Sequence, residues 1–189
     1  MRPVRDRDDL LRAARSVAEH FQADRVIVVG SQAILLTWPD APMALKITPE
    51  IDLYPANNRE WEARNPGLEA SEEISALFGE MSAFHQRFGF YLDGVDENTA
   101  QMPPDWMKRA ATAEIDVYGR TVVIVCPAIQ DVVVSKLHRL AEKDLDFIRE
   151  CVAGGRIEVA SVLAGLRATK PDPAILSRAQ SLLKGMGKR

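Results

Sequence analysis

The chain is poor in cysteine, has no long hydrophobic run and carries no surplus of positive charge. Its two cysteines, Cys126 and Cys151, are far apart and match no metal-ligand spacing, so they read as small buried apolar residues rather than a bridge. No run approaches the eighteen or so apolar residues that a membrane helix needs, and positions 1–9 are charged, so neither a membrane span nor a signal peptide is expected and a cytoplasmic location follows. Twenty-four Lys and Arg against 27 Asp and Glu give a formal charge of -3, which argues against generic coating of nucleic acid, a task that needs a strong basic excess. The cations gathered at the two ends, Arg2, Arg5 and Arg7 and then Lys184, Lys188 and Arg189, read as solvated tails. Also missing are Gly-x-Gly-x-x-Gly, a Walker-type loop, His-Glu-x-x-His and Cys-x-x-Cys, which removes the minimum parts of dinucleotide, P-loop and zinc chemistry. The one Gly-Ser of interest lacks the second glycine of a serine-hydrolase elbow.

What is present is enough apolar material for a well-buried fold: 189 residues, 47% hydrophobic. A 3.6-residue stripe of Leu10, Ala14, Val17 and Phe21 predicts a helix over 8–21, and Arg25 to Val29 predicts a strand. Gln32 to Thr37 should form a helix ended by Trp38-Pro39-Asp40-Ala41-Pro42. Lys46 to Tyr54 reads as a second strand with Pro49 inside it, hence an edge or bulged strand. Asn57 to Leu68 reads as a loop, and a helix starting near Ser71 should bury Ile74, Leu77, Phe78 and Met81. Phe88 to Val95 is a third strand by pattern, and Ala113–Val117 with Thr121–Val125 a hairpin through Tyr118-Gly119-Arg120. Helices are expected over 128–141, 143–153, 158–168 and 173–183, with stops at Gly154-Gly155 and Pro171. The sum is an α+β fold, a mixed β-sheet flanked by helices with a C-terminal helical part. The expected division is an α/β core over 1–127 and helices over 128–189, packed as one unit.

The most informative stretch is Val26-Ile27-Val28-Val29-Gly30-Ser31 followed by Thr48-Pro49-Glu50-Ile51-Asp52-Leu53. Glycine permits a sharp turn and close approach to a ligand, and amides at a following helix start favour anions. Along a strand, Glu50 and Asp52 project from one face and Ile51 and Leu53 from the other. Two carboxylates on one face suit Mg²⁺ or Mn²⁺, hard ions that keep coordination positions for water and phosphate. That layout points to phosphoryl-type chemistry, in which the protein orients an attacking hydroxyl and offsets charge on a triphosphate.

At these residues the chain resembles the nucleotidyltransferase-like superfamily, whose pattern is Gly-Ser on a turn and Asp-x-Asp on the next strand. It is similar, more closely, to small bacterial nucleotidyltransferase-like proteins distantly related to the toxin half of type IV toxin-antitoxin pairs. That likeness is carried by Gly30-Ser31-Gln32-Ala33-Ile34, Glu50-Ile51-Asp52-Leu53-Tyr54-Pro55, Phe84-His85 with Phe88-Gly89-Phe90-Tyr91, Leu92-Asp93-Gly94-Val95, Pro104-Asp105-Trp106, and Ser135-Lys136-Leu137 leading to Glu142-Lys143-Asp144-Leu145. The chain departs from the superfamily in having Glu50 as its first acid and a longer spacer after Ser31. The resemblance implies a third carboxylate on a later strand, for which Asp93 and Asp116 both qualify. It also implies a nucleoside triphosphate as substrate, and it leaves open an RNA such as tRNA, a protein or a small molecule as acceptor, and an antitoxin as partner.

The expected assignment has Glu50 and Asp52 on the metal, Gly30 and Ser31 around the β and γ phosphates, and Asp93 or Asp116 completing the site or deprotonating the acceptor. Lys136, Arg139 and Lys143 recur at i, i+3 and i+7 and would share one face if the helix ran unbroken through them, from which Lys136 and Lys143 could offset phosphate charge. Asp144 would orient Lys143 or sit near the metal, or else cap a helix. His85 could serve as a base but reads first as a packed residue in an aromatic setting. Trp61 and Trp106 could stack on a base, with Trp106 expected to anchor its loop; His138 has no assigned partner. The competing reading is a catalytically inactive binding module, or a toxin-antitoxin component, on the same fold.

Overall fold

The structure, a computed structural model, describes residues 4–186. Arg2, Lys188 and Arg189 of the expected basic tails therefore lie outside the described residues. Two compact units are distinguished, one of residues 1–99 with 111–126 and one of 100–110 with 127–189. Segment 100–110, expected within the core, thus clusters with the C-terminal helices.

In the first unit, α1 (Arg7–Phe21) opens on a reciprocal cap: the Asp9 N–H donates to Asp6 at 3.0 Å and the Asp6 N–H to Asp9 at 3.2 Å. It buries the expected stripe of Leu10, Ala14, Val17 and Phe21, widened by Ala13 and Ala18. The five strands are β1 (Arg25–Val28), β2 (Glu50–Pro55), β3 (Tyr91–Gly94), β4 (Ala111–Val117) and β5 (Arg120–Cys126). They form one mixed sheet in the order β3-β2-β1-β5-β4, with β1/β2 and β4/β5 antiparallel and β1/β5 and β2/β3 parallel. The β4/β5 hairpin turns at Tyr118 and Gly119, at φ +52° and +81°, the left-handed pair that a two-residue turn requires.

Several local expectations are corrected. The helix over 32–37 is a 3₁₀ turn, Ser31–Ala33, followed by the single turn α2 (Ile34–Thr37). The first part of the supposed second strand is helix α3 (Met43–Lys46), so Pro49 precedes β2 rather than interrupting it, and β2 is interior to the sheet. The expected loop 57–68 contains α4 (Asn58–Arg64), whose one large apolar anchor, Trp61, lies edge-on to Phe21 with centroids 4.9 Å apart. One large apolar residue in seven generates no periodic signal. Helix α5 (Ala70–Phe78) buries Ile74 but leaves Leu77 exposed, and Met81 beyond its end is 82% exposed. Phe88 ends helix α6 (Ala83–Phe88), capped by Gly89 at φ +73°, which leaves only Tyr91–Gly94 for the third strand. Arg5 is no solvated tail residue: it is 1% exposed, 3.6 Å from Asp9, with its guanidinium 5.0 Å from the Phe90 ring centroid.

The second unit comprises α7 (Ile129–Arg139), α8 (Glu142–Ala153), α9 (Val159–Ala168) and α10 (Pro173–Met186), together with a 3₁₀ turn at Trp106–Lys108. The four helices agree with the predicted spans to within three residues. Their apolar faces bury Val133 and Leu137, Phe147 and Ile148, Val162 and Leu166, and Ala179 and Leu183. Segment 100–110 is tied to α7 by Arg109, which donates to both oxygens of the buried Asp131 at 3.1 and 2.8 Å and to Asp105 at 2.7 Å. Both cysteines are free and buried, as expected, and burial pushes each thiol up to about 12. Among the described residues no helix is long and apolar enough to cross a membrane.

Candidate active site

The end of β1 is joined to β2 by an N–H of Val29 that donates to the Asp52 carbonyl at 2.9 Å. The next residue, Gly30, has φ +67° and ψ -163°, a region that essentially only glycine enters. A β-carbon at Gly30 would stand 2.1 Å from Oδ2 of Asp52. The torsion by itself reserves the position for glycine, and a side chain there would also have to displace the Asp52 carboxylate, whose Oδ2 is the nearest atom.

Ile51 and Leu53 are fully buried and Glu50 and Asp52 half-buried, the alternation expected of a strand with one face in the core. The parallel register of β2 and β3 sets Glu50 beside Tyr91 and Asp52 beside Asp93. Register partners share a face, so Glu50, Asp52, Tyr91 and Asp93 project from the same side. Asp116 is on β4, separated from β2 by β1 and β5, and accepts the Gly119 N–H of its own hairpin turn at 3.3 Å. The sheet thus sets Asp93, not Asp116, alongside the acidic pair.

The local sequence assigns Tyr91 no role. Its hydroxyl donates to Oε2 of Glu50 at 3.2 Å. Partial burial, then the charge and hydrogen bond of Glu50, push its phenol up to about 12, so it remains a donor at neutral pH. The ring meets His85 edge to face, centroids 5.3 Å apart. His85 is itself fixed, with Nδ1 accepting the Met81 N–H at 3.0 Å and its backbone N–H donating to the Ser82 cap at 3.2 Å. That is the packed arrangement expected of it. The one signal that could have pointed to Tyr91 is its position two residues before Asp93, on the same strand face.

Ser31 follows Gly30 on the 3₁₀ turn and is half-buried. With only short turns behind it, an anion here would meet local backbone amides and the Ser31 hydroxyl rather than a helix macrodipole. Among the described residues, no group of three or more His, Cys, Asp or Glu side chains is arranged to hold a metal ion. The donor set on this face is nevertheless oxygen throughout. Mg²⁺ is commonly held by one or two carboxylates, with water and substrate phosphates completing its shell, and Glu50 with Asp52 could act in that way.

The other expected site residues lie in the helical unit. Leu140, at φ +50°, ends α7, so Lys136 and Lys143 are on different helices and do not form one stripe. Lys136 is 8% exposed, donates to Asp144 at 2.7 Å and lies over the Phe147 ring at 4.7 Å. Arg139 donates to both oxygens of Asp144 at 2.9 and 2.8 Å, and the Ala141 N–H donates to it at 3.1 Å. Asp144 therefore caps α8 and binds two cations. Burial alone would raise its pKa, but the hydrogen bonds from Arg139 and Lys136 outweigh that and hold the carboxyl down at about 2. Lys143 is exposed on α8. Trp61 is part of an aromatic cluster with Phe21 and His20, Trp106 lies on the 3₁₀ turn of segment 100–110, and His138 meets the Thr169 hydroxyl at 2.8 Å.

Residues 8–170 match a family described as a nucleotidyltransferase of unknown function (DUF6036). No curated protein and no solved structure matches the chain.

Proposed function

The chain belongs to this nucleotidyltransferase family, and from that premise we propose that it transfers a nucleoside monophosphate from a nucleoside triphosphate to an acceptor hydroxyl with the help of Mg²⁺. The observation that carries the reading is the contact between turn and acid: Gly30 in a glycine-only conformation, with the Asp52 carboxylate in the space where its side chain would be. Glu50 and Asp52 would hold the ion. When bound, Mg²⁺ supplies charge neutralisation on the triphosphate. Gly30 and Ser31 would take the phosphate oxygens at the turn, where the absence of a side chain permits close approach. The acceptor oxygen bonds to the α-phosphorus as the bond to the β-phosphate oxygen breaks. Pyrophosphate leaves, and Asp93, beside Asp52 on the neighbouring strand, receives the hydroxyl proton.

The acidic composition directs the test toward a small or singly presented acceptor rather than long duplexes. Incubation with each α-³²P-labelled nucleoside triphosphate, Mg²⁺ and total RNA, including tRNA, should transfer label to RNA or to the protein itself. Asp52→Ala should reduce the transfer about a hundred- to a thousandfold, as loss of a transition-state electrostatic contact does. Label transfer that survives this substitution would remove the role given to Asp52. Mg²⁺-dependent nucleotide binding without transfer to any acceptor would instead favour the binding-module reading, to which the change of first acid to Glu50 already lends weight.

A further inference from the structure

Glu50 is one methylene longer than an aspartate, and the added torsion spreads its oxygens over a wider range of positions. Mg²⁺ and Mn²⁺ tolerate little displacement of a ligand from octahedral geometry. Something must therefore restrict this side chain if it is to ligate as a shorter acid would. The neighbouring strand supplies it. Tyr91 is the register partner of Glu50 across the parallel β2/β3 pair, and its hydroxyl donates to Oε2 at 3.2 Å. The Tyr91 N–H also donates to the Pro49 carbonyl at 2.8 Å, fixing the backbone one residue before the acid. On its far side the ring lies against His85, which the Met81 N–H and the Ser82 cap hold in place.

We infer that Tyr91 is the positioning residue for Glu50, and that the pair replaces the shorter first acid of a two-carboxylate metal site. The inference rests on the metal role proposed above. A carboxylate accepts at about four lone-pair sites, so one phenol donor orients it without exhausting its capacity as a ligand. Hydrogen-bond partners that orient metal ligands contribute about 10- to 100-fold in affinity. The effect should depend on side-chain length: an aspartate at position 50 falls short of the phenol and gains nothing from it.

The test is Mn²⁺ binding by the full chain, followed by electron paramagnetic resonance without nucleotide, in a cycle of wild type, Tyr91→Phe, Glu50→Asp and the double variant. Tyr91→Phe keeps the ring against His85 and removes only the hydroxyl; its metal-free melting temperature reports on folding. The expected result is Mn²⁺ affinity about tenfold weaker in Tyr91→Phe, with a change below about twofold when the same substitution is made in Glu50→Asp. Competition by Ca²⁺, which accepts looser geometry, should rise in Tyr91→Phe; a purely structural role would not alter that preference. Unchanged Mn²⁺ affinity in Tyr91→Phe, or an equal loss in both backgrounds, overturns the positioning role and leaves the metal reading standing. Failure of wild type to bind Mn²⁺, or binding undiminished in Asp52→Ala, overturns both.

Discussion

Gly30 is the residue where a single substitution should disturb the candidate site most. Gly30→Ala would place a β-carbon on the Asp52 carboxylate and demand a torsion that alanine avoids, so it should destabilise the fold by about 2 kcal/mol or more in urea denaturation. The surviving folded fraction should bind Mn²⁺ poorly, because Asp52 must move aside. Gly30, Glu50 and Asp52 were legible in the sequence because each signal is local: a β-run ending in glycine, and two acids separated by one residue. Tyr91 was not, because its relation to Glu50 exists only through the register of β2 on β3, and no local pattern specifies the pairing of strands some forty positions apart. The choice of Asp93 over Asp116 was open for the same reason, since both lie in strand-like runs and sheet order alone separates them.

Among the elements, α7 and α8 show how a spacing in sequence need not become a shared face. The i, i+3, i+7 spacing of Lys136, Arg139 and Lys143 is real, but Leu140 turns the chain before the stripe is complete. Asp144 then draws Lys136 and Arg139 into an ion-pair network at the start of α8. Asp144→Asn should cost about 3 kcal/mol, because Lys136 would remain buried without its counter-charge. Adding Lys136→Met to it should recover most of that loss. The acid's depressed pKa fixes the sign of the pH effect. Its contribution is complete above the ordinary carboxylate pKa of 3.8 and drains away as pH falls towards about 2. Wild type should therefore lose stability over that window more steeply than Asp144→Asn, as chemical denaturation at successive pH values would show. The membership of segment 100–110 in the helical unit was illegible for a similar reason: Arg109 and Asp131 are unremarkable charges in sequence, yet they form a two-pronged pair. Asp131→Ala should speed tryptic cleavage after Lys108 and Arg109 by about tenfold, the consequence of removing roughly 1.4 kcal/mol from local opening.

For the whole molecule, the mixed sheet and the late helices followed from composition and periodicity. The misread segments were the short ones: α2, α3, α4 and α6 span four, four, seven and six residues. Helices of that length owe their stability to tertiary contacts rather than propensity. What the sequence could not supply is the convergence of turn, strand and edge strand on one face of the sheet. The central claim is that this face takes a nucleoside triphosphate through a divalent ion held by Glu50 and Asp52. Calorimetric titration of the four nucleoside triphosphates, with Mg²⁺ or with EDTA, into wild type and Asp52→Ala tests it most directly. At least one nucleotide should bind wild type only when Mg²⁺ is present, and Asp52→Ala should abolish the Mg²⁺ dependence. Binding of equal strength in EDTA, unaltered Mg²⁺-dependent binding in Asp52→Ala, or no binding of any of the four would contradict it.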